Sequence, residues 1–217
     1  MVTGAARGIG RAAADALRTA GCKVIGLDRE ACDVVYDLTD LAGMPALIAR
    51  LGEIDILVNN AGIQTAVSID RYTDEQRTRI LRINLEAPVE LIRAAAPGMI
   101  QRKSGRIINL ASVASYTAHT DLWYGVTKAG VVSFTRSFAA QLGPRGIQVN
   151  AVAPGPIDTQ LLKNAQPERV EALMRQVYTR RPGTPEEVAG TIRWLALEAP
   201  PIINGAVIDI TDGSFLR

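Results

Sequence analysis

The chain has few of the residues that build metal centres and covalent frameworks: 217 residues hold one histidine and two cysteines. Cys22 and Cys32 have neither metal-ligand spacing nor the density of a disulfide-stapled scaffold, so they read as reduced structural thiols. His119 and scattered carboxylates offer no ligand cluster, and no metal is expected. No run of eighteen apolar residues occurs, which argues against a membrane-spanning helix. Met1 leads straight into Val-Thr-Gly, without a charged segment and apolar core, so no secretory leader is expected and the cytoplasm is the expected compartment. Neither sign of charge dominates, since 24 Lys and Arg oppose 22 Asp and Glu in an interspersed pattern with net charge +2. Such a balance gives nucleic acid no basic face to bind and leaves a small molecule as the expected partner.

What is present is a 47% hydrophobic chain, long enough to bury a full core as one domain over residues 1–217. Continuous β-branched runs at 22–27, 54–59, 105–110, 147–152 and 206–210 read as buried parallel strands. Helical segments lie between them. Residues 11–20 are alanine-rich and end at Gly21, a C′ position. Thr73-Asp-Glu-Gln76 forms a capping box at the head of a long amphipathic stretch interrupted by Pro88. Residues 121–142 and 185–197 supply two more helices, the latter opening on Pro-Glu-Glu. The alternation predicts an α/β fold: a single doubly wound (Rossmann) sheet, seven-stranded and mostly parallel, with helices on both faces.

Two patterns carry chemistry. Thr3-Gly-Ala-Ala-Arg-Gly-Ile-Gly10 follows an apolar stretch and opens a helix, so backbone N–H groups there can face a pyrophosphate. Asp28 lies eighteen residues after Gly10 at the end of the second strand. A carboxylate in that place binds ribose hydroxyls and repels a 2′-phosphate, which favours NAD over NADP, although Arg7 and Arg29 pull towards NADP. The second pattern is Tyr124-Gly-Val-Thr-Lys128, with Ser112 twelve residues upstream. On a helix, Tyr124 and Lys128 project from one face, and the ammonium is expected to lower the phenol pKa from its ordinary value near 10.

These residues resemble the short-chain dehydrogenase/reductase family over nearly the whole chain. Thr3 to Gly10 resembles its TGxxxGxG loop, Asn59-Asn-Ala-Gly62 its NNAG, and Pro154-Gly155 the turn after its sixth strand. Asn84, Ser112, Tyr124 and Lys128 resemble its catalytic set. The resemblance implies cofactor contacts from Gly4, Arg7, Gly8, Ile9, Gly10, Asp28, Asp37, Leu38, Asn60, Ala61, Gly62, Tyr124, Lys128, Pro154, Gly155, Ile157 and Thr159. It also implies that Asn84 holds a water of the proton relay, that Ser112 orients the substrate oxygen, and that Lys128 holds the nicotinamide ribose. The substrate lid would span 156–184, with Leu161, Leu162, Met174, Val177 and Tyr178 either lining a pocket or packing the lid down. His119, Asp121 and Trp123 could face substrate.

The implied reaction is reversible hydride transfer between a nicotinamide and a secondary alcohol or ketone, with Tyr124 exchanging the proton. Within the family the pattern is most similar to the 3-oxoacyl-carrier-protein reductase-like branch, so an NADPH-dependent reductase of that kind is the alternative. A non-catalytic dinucleotide sensor is the alternative of another class, against which the retention of both Tyr124 and Lys128 argues. A homo-oligomer, dimer or tetramer, is implied through helices 71–101 and 121–143 and the last strand. Family members carry several residues before the first Val-Thr-Gly, so either the central strand is unusually short here or the start is truncated, and a shortened strand would cost core packing and loosen the phosphate loop.

Overall fold

Adjacent residues of the central strands enter opposite cores, which is why their sequence is apolar without alternation. The molecule is described from a computed structural model over residues 1–30, 32–65, 67 and 71–216. The described residues form one sheet of seven strands: β1 (Val2–Thr3), β2 (Gly26–Asp28), β3 (Val34–Val35), β4 (Ile56–Asn59), β5 (Gly105–Leu110), β6 (Ile147–Pro154) and β7 (Val207–Ile210). Every pairing is parallel, in the order β3-β2-β1-β4-β5-β6-β7. Chain order reverses between β1 and β4, and ligands of open α/β sheets bind at the carboxyl ends of the strands at such a point.

One face of the sheet is covered by α1 (Gly8–Thr19) and α8 (Pro185–Leu197). Val58, Ile108 and Val152 pack there with Leu17, Ile192 and Leu195. The other face is covered by α2 (Met44–Leu51), α4 (Ala87–Arg102) and α5 (Leu122–Leu142), where Leu57, Ile107 and Val149 meet Ile48, Leu91 and Ala139. Ile107 and Ile108 are each 1% exposed, so one strand serves both layers. Two short helices, α6 (Gln160–Lys163) and α7 (Pro167–Gln176), follow β6 at the carboxyl edge.

Several boundaries differ from those read in the sequence. The run 22–27 is apolar but for Lys23, yet only Gly26–Asp28 forms a ladder, because β1 offers only Val2 and Thr3 as partners. The glycine-loop helix begins at Gly8 rather than Arg11. The short strand β3 was not among the expected runs. β1 is indeed short, but Val2 is wholly buried and the Met1 amino group donates to the Ile56 carbonyl at 2.7 Å. The loop after it is tied rather than slack. Thr3 Oγ1 accepts from the amides of Asn60 and Ala61, both at 3.0 Å, and Asn60 Nδ2 donates to the Thr3 carbonyl at 2.9 Å.

Pro88 neither breaks nor divides its helix. Helix α3 (Asp74–Leu81) opens on the expected capping box, with Thr73 and Gln76 exchanging both bonds. It runs into α4 through a widened turn at Arg82–Glu86, where the Ala87 amide reaches the carbonyl five residues back, that of Arg82. Proline has no N–H for the carbonyl four residues earlier, that of Asn84, so the ladder widens just there.

Candidate active site

The site is assembled at the carboxyl ends of β1, β4, β5 and β6, beginning with the glycine loop. Gly4 and Gly8 have φ of +66° and +55°, a backbone region that favours glycine. At Gly10 the limit is space, since a Cβ there would lie 2.1 Å from the Gly4 carbonyl oxygen and 2.4 Å from Asn60 Nδ2. Helix α1 has Arg7 at its N-cap with no side-chain cap and no acidic residue in its first turn. The amides of its first turn therefore face outward as anion donors, a cradle that fits a dinucleotide pyrophosphate. The Asp28 carboxylate closes the loop from the side: Oδ2 accepts from the Ala6 amide at 3.1 Å and Oδ1 from the Arg29 amide at 2.8 Å. Arg7 and Arg29 both lean on Glu30, at 3.5 and 3.8 Å.

Helix α5 carries the candidate residues Tyr124 and Lys128. The Asp121 carboxylate caps it by accepting from the Tyr124 amide at 3.1 Å, and also accepts from the Thr65 amide at 2.7 Å, Thr65 Oγ1 at 2.8 Å and the Tyr72 hydroxyl. Burial pushes its pKa up, but these donors outweigh it and the net shift is downward, so Asp121 is anionic. The pKa of the Tyr124 phenol is raised, chiefly by burial, although Ser112 and Gln64 each act to pull it down; the Asp121 charge adds to the rise. The expected depression by the lysine is therefore not found: burial dominates, and Lys128 Nζ sits 5.6 Å from the ring centroid while donating to the Leu110 carbonyl at 2.6 Å. Lys128 itself is lowered from 10.5 to about 8 by burial.

Asn84, in the widened turn, grips the loop after NNAG with both side-chain atoms. Its Oδ1 accepts from the Ile63 amide at 2.8 Å, and its Nδ2 donates to the Ile63 carbonyl at 2.9 Å and to Thr127 Oγ1 at 3.2 Å. Gly62 lies beside this grip, where an added Cβ would sit 3.5 Å from both Asn84 Oδ1 and Lys128 Nζ. Ser112 Oγ accepts from the Ala114 amide at 3.1 Å, and Ser115 Oγ donates to the Lys128 carbonyl at 2.8 Å, which makes Ser115 a helix fastener.

The outlying candidates fall into two groups. Ala61 and Gly62 lie at the carboxyl edge, as do Pro154, Gly155 and Thr159, whose methyl would meet a Cβ on Gly8 at 3.4 Å. By contrast, the side chains of Leu38 and Ile157 are in the core, at 8% and 7% exposure, and the Asn60 amide is spent on the carbonyls of Thr3 and Gly4. Ile9 is half-buried on α1. Asp37 is exposed, its carboxylate held below the usual range by hydrogen bonds from Thr39. Val177 is buried at 3% and lines a cleft with Ile157 and Ile210, while Tyr178 is 68% exposed and lies over Gly213.

Three contributors were not legible as such in the sequence: Gln64 on the phenol, Thr3 as the loop's anchor, and Arg169 of α7, which meets His119 Nε2 at 2.9 Å. Gln64, two residues past Gly62, was the one nearest a recognised motif. Among the described residues no group of histidine, cysteine and carboxylates could hold a metal, and no helix is long and apolar enough to cross a membrane.

Comparison with known proteins agrees with this geometry. A sequence-family profile described as enoyl-(acyl carrier protein) reductase matches residues 30–214. The chain is 34% identical to the 3-oxoacyl-(acyl-carrier-protein) reductase FabG of Vibrio cholerae over 235 aligned positions, covering 100% of this chain and 96% of that one. The Escherichia coli FabG is 33% identical with the same coverage. Among solved structures, a provisionally assigned NAD(P)-dependent gluconate 5-dehydrogenase of Beutenbergia cavernae, with NADP at low occupancy, superposes with a TM-score of 0.92 at 31% identity, over 98% of this chain and 94% of that one. A provisionally assigned 2-deoxy-D-gluconate 3-dehydrogenase of Agrobacterium tumefaciens with bound NADP gives 0.93 at 28% identity, over 100% and 95% of the two chains.

Proposed function

The chain belongs to the short-chain dehydrogenase/reductase family and is an NAD(P)-dependent oxidoreductase of secondary alcohols and ketones, and from that premise we propose how its own residues divide the work. Tyr124 is the acid and base. Its raised pKa keeps the phenol protonated at neutral pH, ready to protonate a ketone oxygen held between it and Ser112. Ser112 orients that oxygen, and Lys128, still mostly charged at pH 7 with a pKa of about 8, stabilises the phenolate left behind. Asn84 holds the Ile63 loop against α5. When bound, the nicotinamide supplies or accepts the hydride at the substrate carbon. The stacking of the Lys128 ammonium over the Tyr124 ring, 5.6 Å from its centroid, beside the acidity-raising Ser112, is the observation that carries this reading. Tyr124→Phe should remove turnover, by a factor of roughly 10³ or more, while leaving dinucleotide affinity intact. Undiminished turnover in that variant would move the proton transfer elsewhere, and a protein that binds dinucleotide but turns over no alcohol or ketone would be the sensor instead.

For the cofactor, Asp28 supports NAD: its carboxylate stands beside the loop at the end of β2, where ribose hydroxyls are bound and a 2′-phosphate repelled. A second reading, NADP, is favoured by the two solved relatives that carry it and by Arg7 and Arg29, both of which could turn from Glu30 to a phosphate. Titration with NADH and NADPH followed by fluorescence decides between them. Tighter NADH binding that Asp28→Asn reverses supports the first reading; tighter NADPH binding overturns it. A 3-oxoacyl-carrier-protein substrate is the corresponding second reading for the reaction, on the strength of the FabG relatives. Self-association is proposed through α5, which leaves Leu122 and Val126 45% and 44% exposed, and sedimentation would test it. The unbridged Cys22 and Cys32 accord with a cytoplasmic setting.

A further inference from the structure

The lid contributes a cation whose only described partner is uncharged. Three of its other basic residues are neutralised by carboxylates, Lys163 by Asp158 at 3.2 Å, Arg175 by Glu171 at 2.6 Å and Arg181 by Glu187 at 2.7 Å, while the exposed Arg180 donates to the Arg175 carbonyl. Arg169, half-buried on α7, instead places Nη2 2.9 Å from His119 Nε2. A guanidinium only donates, so Nε2 accepts from it, while Nδ1 lies 3.2 Å from the Asp121 carbonyl and 3.1 Å from the Asp121 amide. Burial lowers the His119 pKa below its ordinary 6.5, and Arg169 adds to the effect, so the imidazole is neutral at pH 7. The nearest acid of the network, Asp121, already accepts from Thr65, Tyr72 and the Tyr124 amide. The imidazole is also tilted against the Tyr124 ring, with 5.0 Å between centroids, so the guanidinium is held one ring's width from the proton-transfer group.

We propose that Arg169, steered by His119, is the specificity-determining residue of this site and selects a small hydroxy acid or keto acid by pairing with its carboxylate. The proposal rests on the oxidoreductase reading above. An arginine fork matches a carboxylate with two parallel hydrogen bonds, and a half-buried, unneutralised one discriminates strongly against a neutral analogue. His119 holds the fork in place without competing for the anion. The carboxylate would lie at the far end of the substrate from the reacting hydroxyl, and its binding would draw α7 down over the site.

The test is equilibrium binding to the protein–NADH complex, read by cofactor fluorescence, with acids paired against their amides: gluconate against gluconamide and 3-hydroxybutyrate against 3-hydroxybutyramide. At least one acid is expected to bind about tenfold or more tightly than its amide. Arg169→Gln should abolish that preference without changing NADH affinity, and Arg169→Lys should keep part of it. In turnover, Arg169→Gln should raise KM for the acid far more than it lowers kcat. Equal binding of each acid and its amide, or a preference that survives Arg169→Gln, overturns the proposal while leaving the oxidoreductase reading intact. Failure of the wild-type protein to bind NADH at all would overturn both.

Discussion

Replacing Lys128 by methionine should make the protein more stable while removing its activity. The lysine is 4% exposed, and burial lowers its pKa from 10.5 to about 8. That drop corresponds to about 3 kcal/mol of penalty against the folded state. The sign follows from proton counting: a base with a lower pKa when folded leaves the unfolded chain holding more protons between about 8 and 10.5, so stability rises with pH across that window. Below about 8 the penalty is complete. Methionine fills the volume of the lysine stem without a charge, but the Leu110 carbonyl, now bonded at 2.6 Å, loses its partner. That loss offsets about 1 kcal/mol. The net gain of about 2 kcal/mol at pH 7 should raise Tm by roughly 4–8 °C for a chain of this size. Circular-dichroism melts of both proteins at pH 7 and pH 10 measure it, and the gap should narrow at the higher pH as the wild-type lysine neutralises. A variant that melts below wild type at pH 7, or whose advantage is the same at both pH values, refutes the reasoning.

Two further substitutions probe the scaffold of the site. Gly10→Ala would put a Cβ 2.1 Å from the Gly4 carbonyl, so the loop must open; dinucleotide affinity measured by calorimetry should fall by at least tenfold, and unchanged affinity would mean that the loop is slack. Asp121→Ala removes the cap of α5 and the acceptor for Thr65 and Tyr72, and should cost about 2–4 kcal/mol in urea unfolding together with a fall in kcat. Because the folded Asp121 pKa is depressed, its contribution is present above the ordinary carboxylate range and is lost as pH falls through the folded value. Asp121→Asn should accordingly flatten the acid side of the stability profile.

Local patterns were enough to read most of the sheet, the glycine loop, the capping box at Thr73, and the shared face of Tyr124 and Lys128, because each depends on residues a few positions apart. Ladder length was not legible. Residues 22–25 have much of the composition of a strand yet form no ladder beyond the Ile25 carbonyl's bond from the Val2 amide, since pairing depends on how much neighbour β1 provides. Nor was the fate of Pro88, which a helix absorbs by widening at Asn84 when packing on both sides holds it together. The direction of the Tyr124 shift was misjudged for the same kind of reason. Spacing brings an ammonium near the phenol, but desolvation is set by everything packed around it.

The division is one of range. By itself the sequence determined which residues could do chemistry and in what order along the sheet they would arrive, since helical and strand periodicity are short-range properties of the chain. Only the tertiary structure decided their electrical state and their company: that Lys128 is buried to a pKa of about 8, that Asp121 fastens three segments, and that Arg169, forty-five residues beyond Tyr124, rests on His119 beside it. Burial and long-range contact depend on which segments the fold packs together, and no local pattern encodes that.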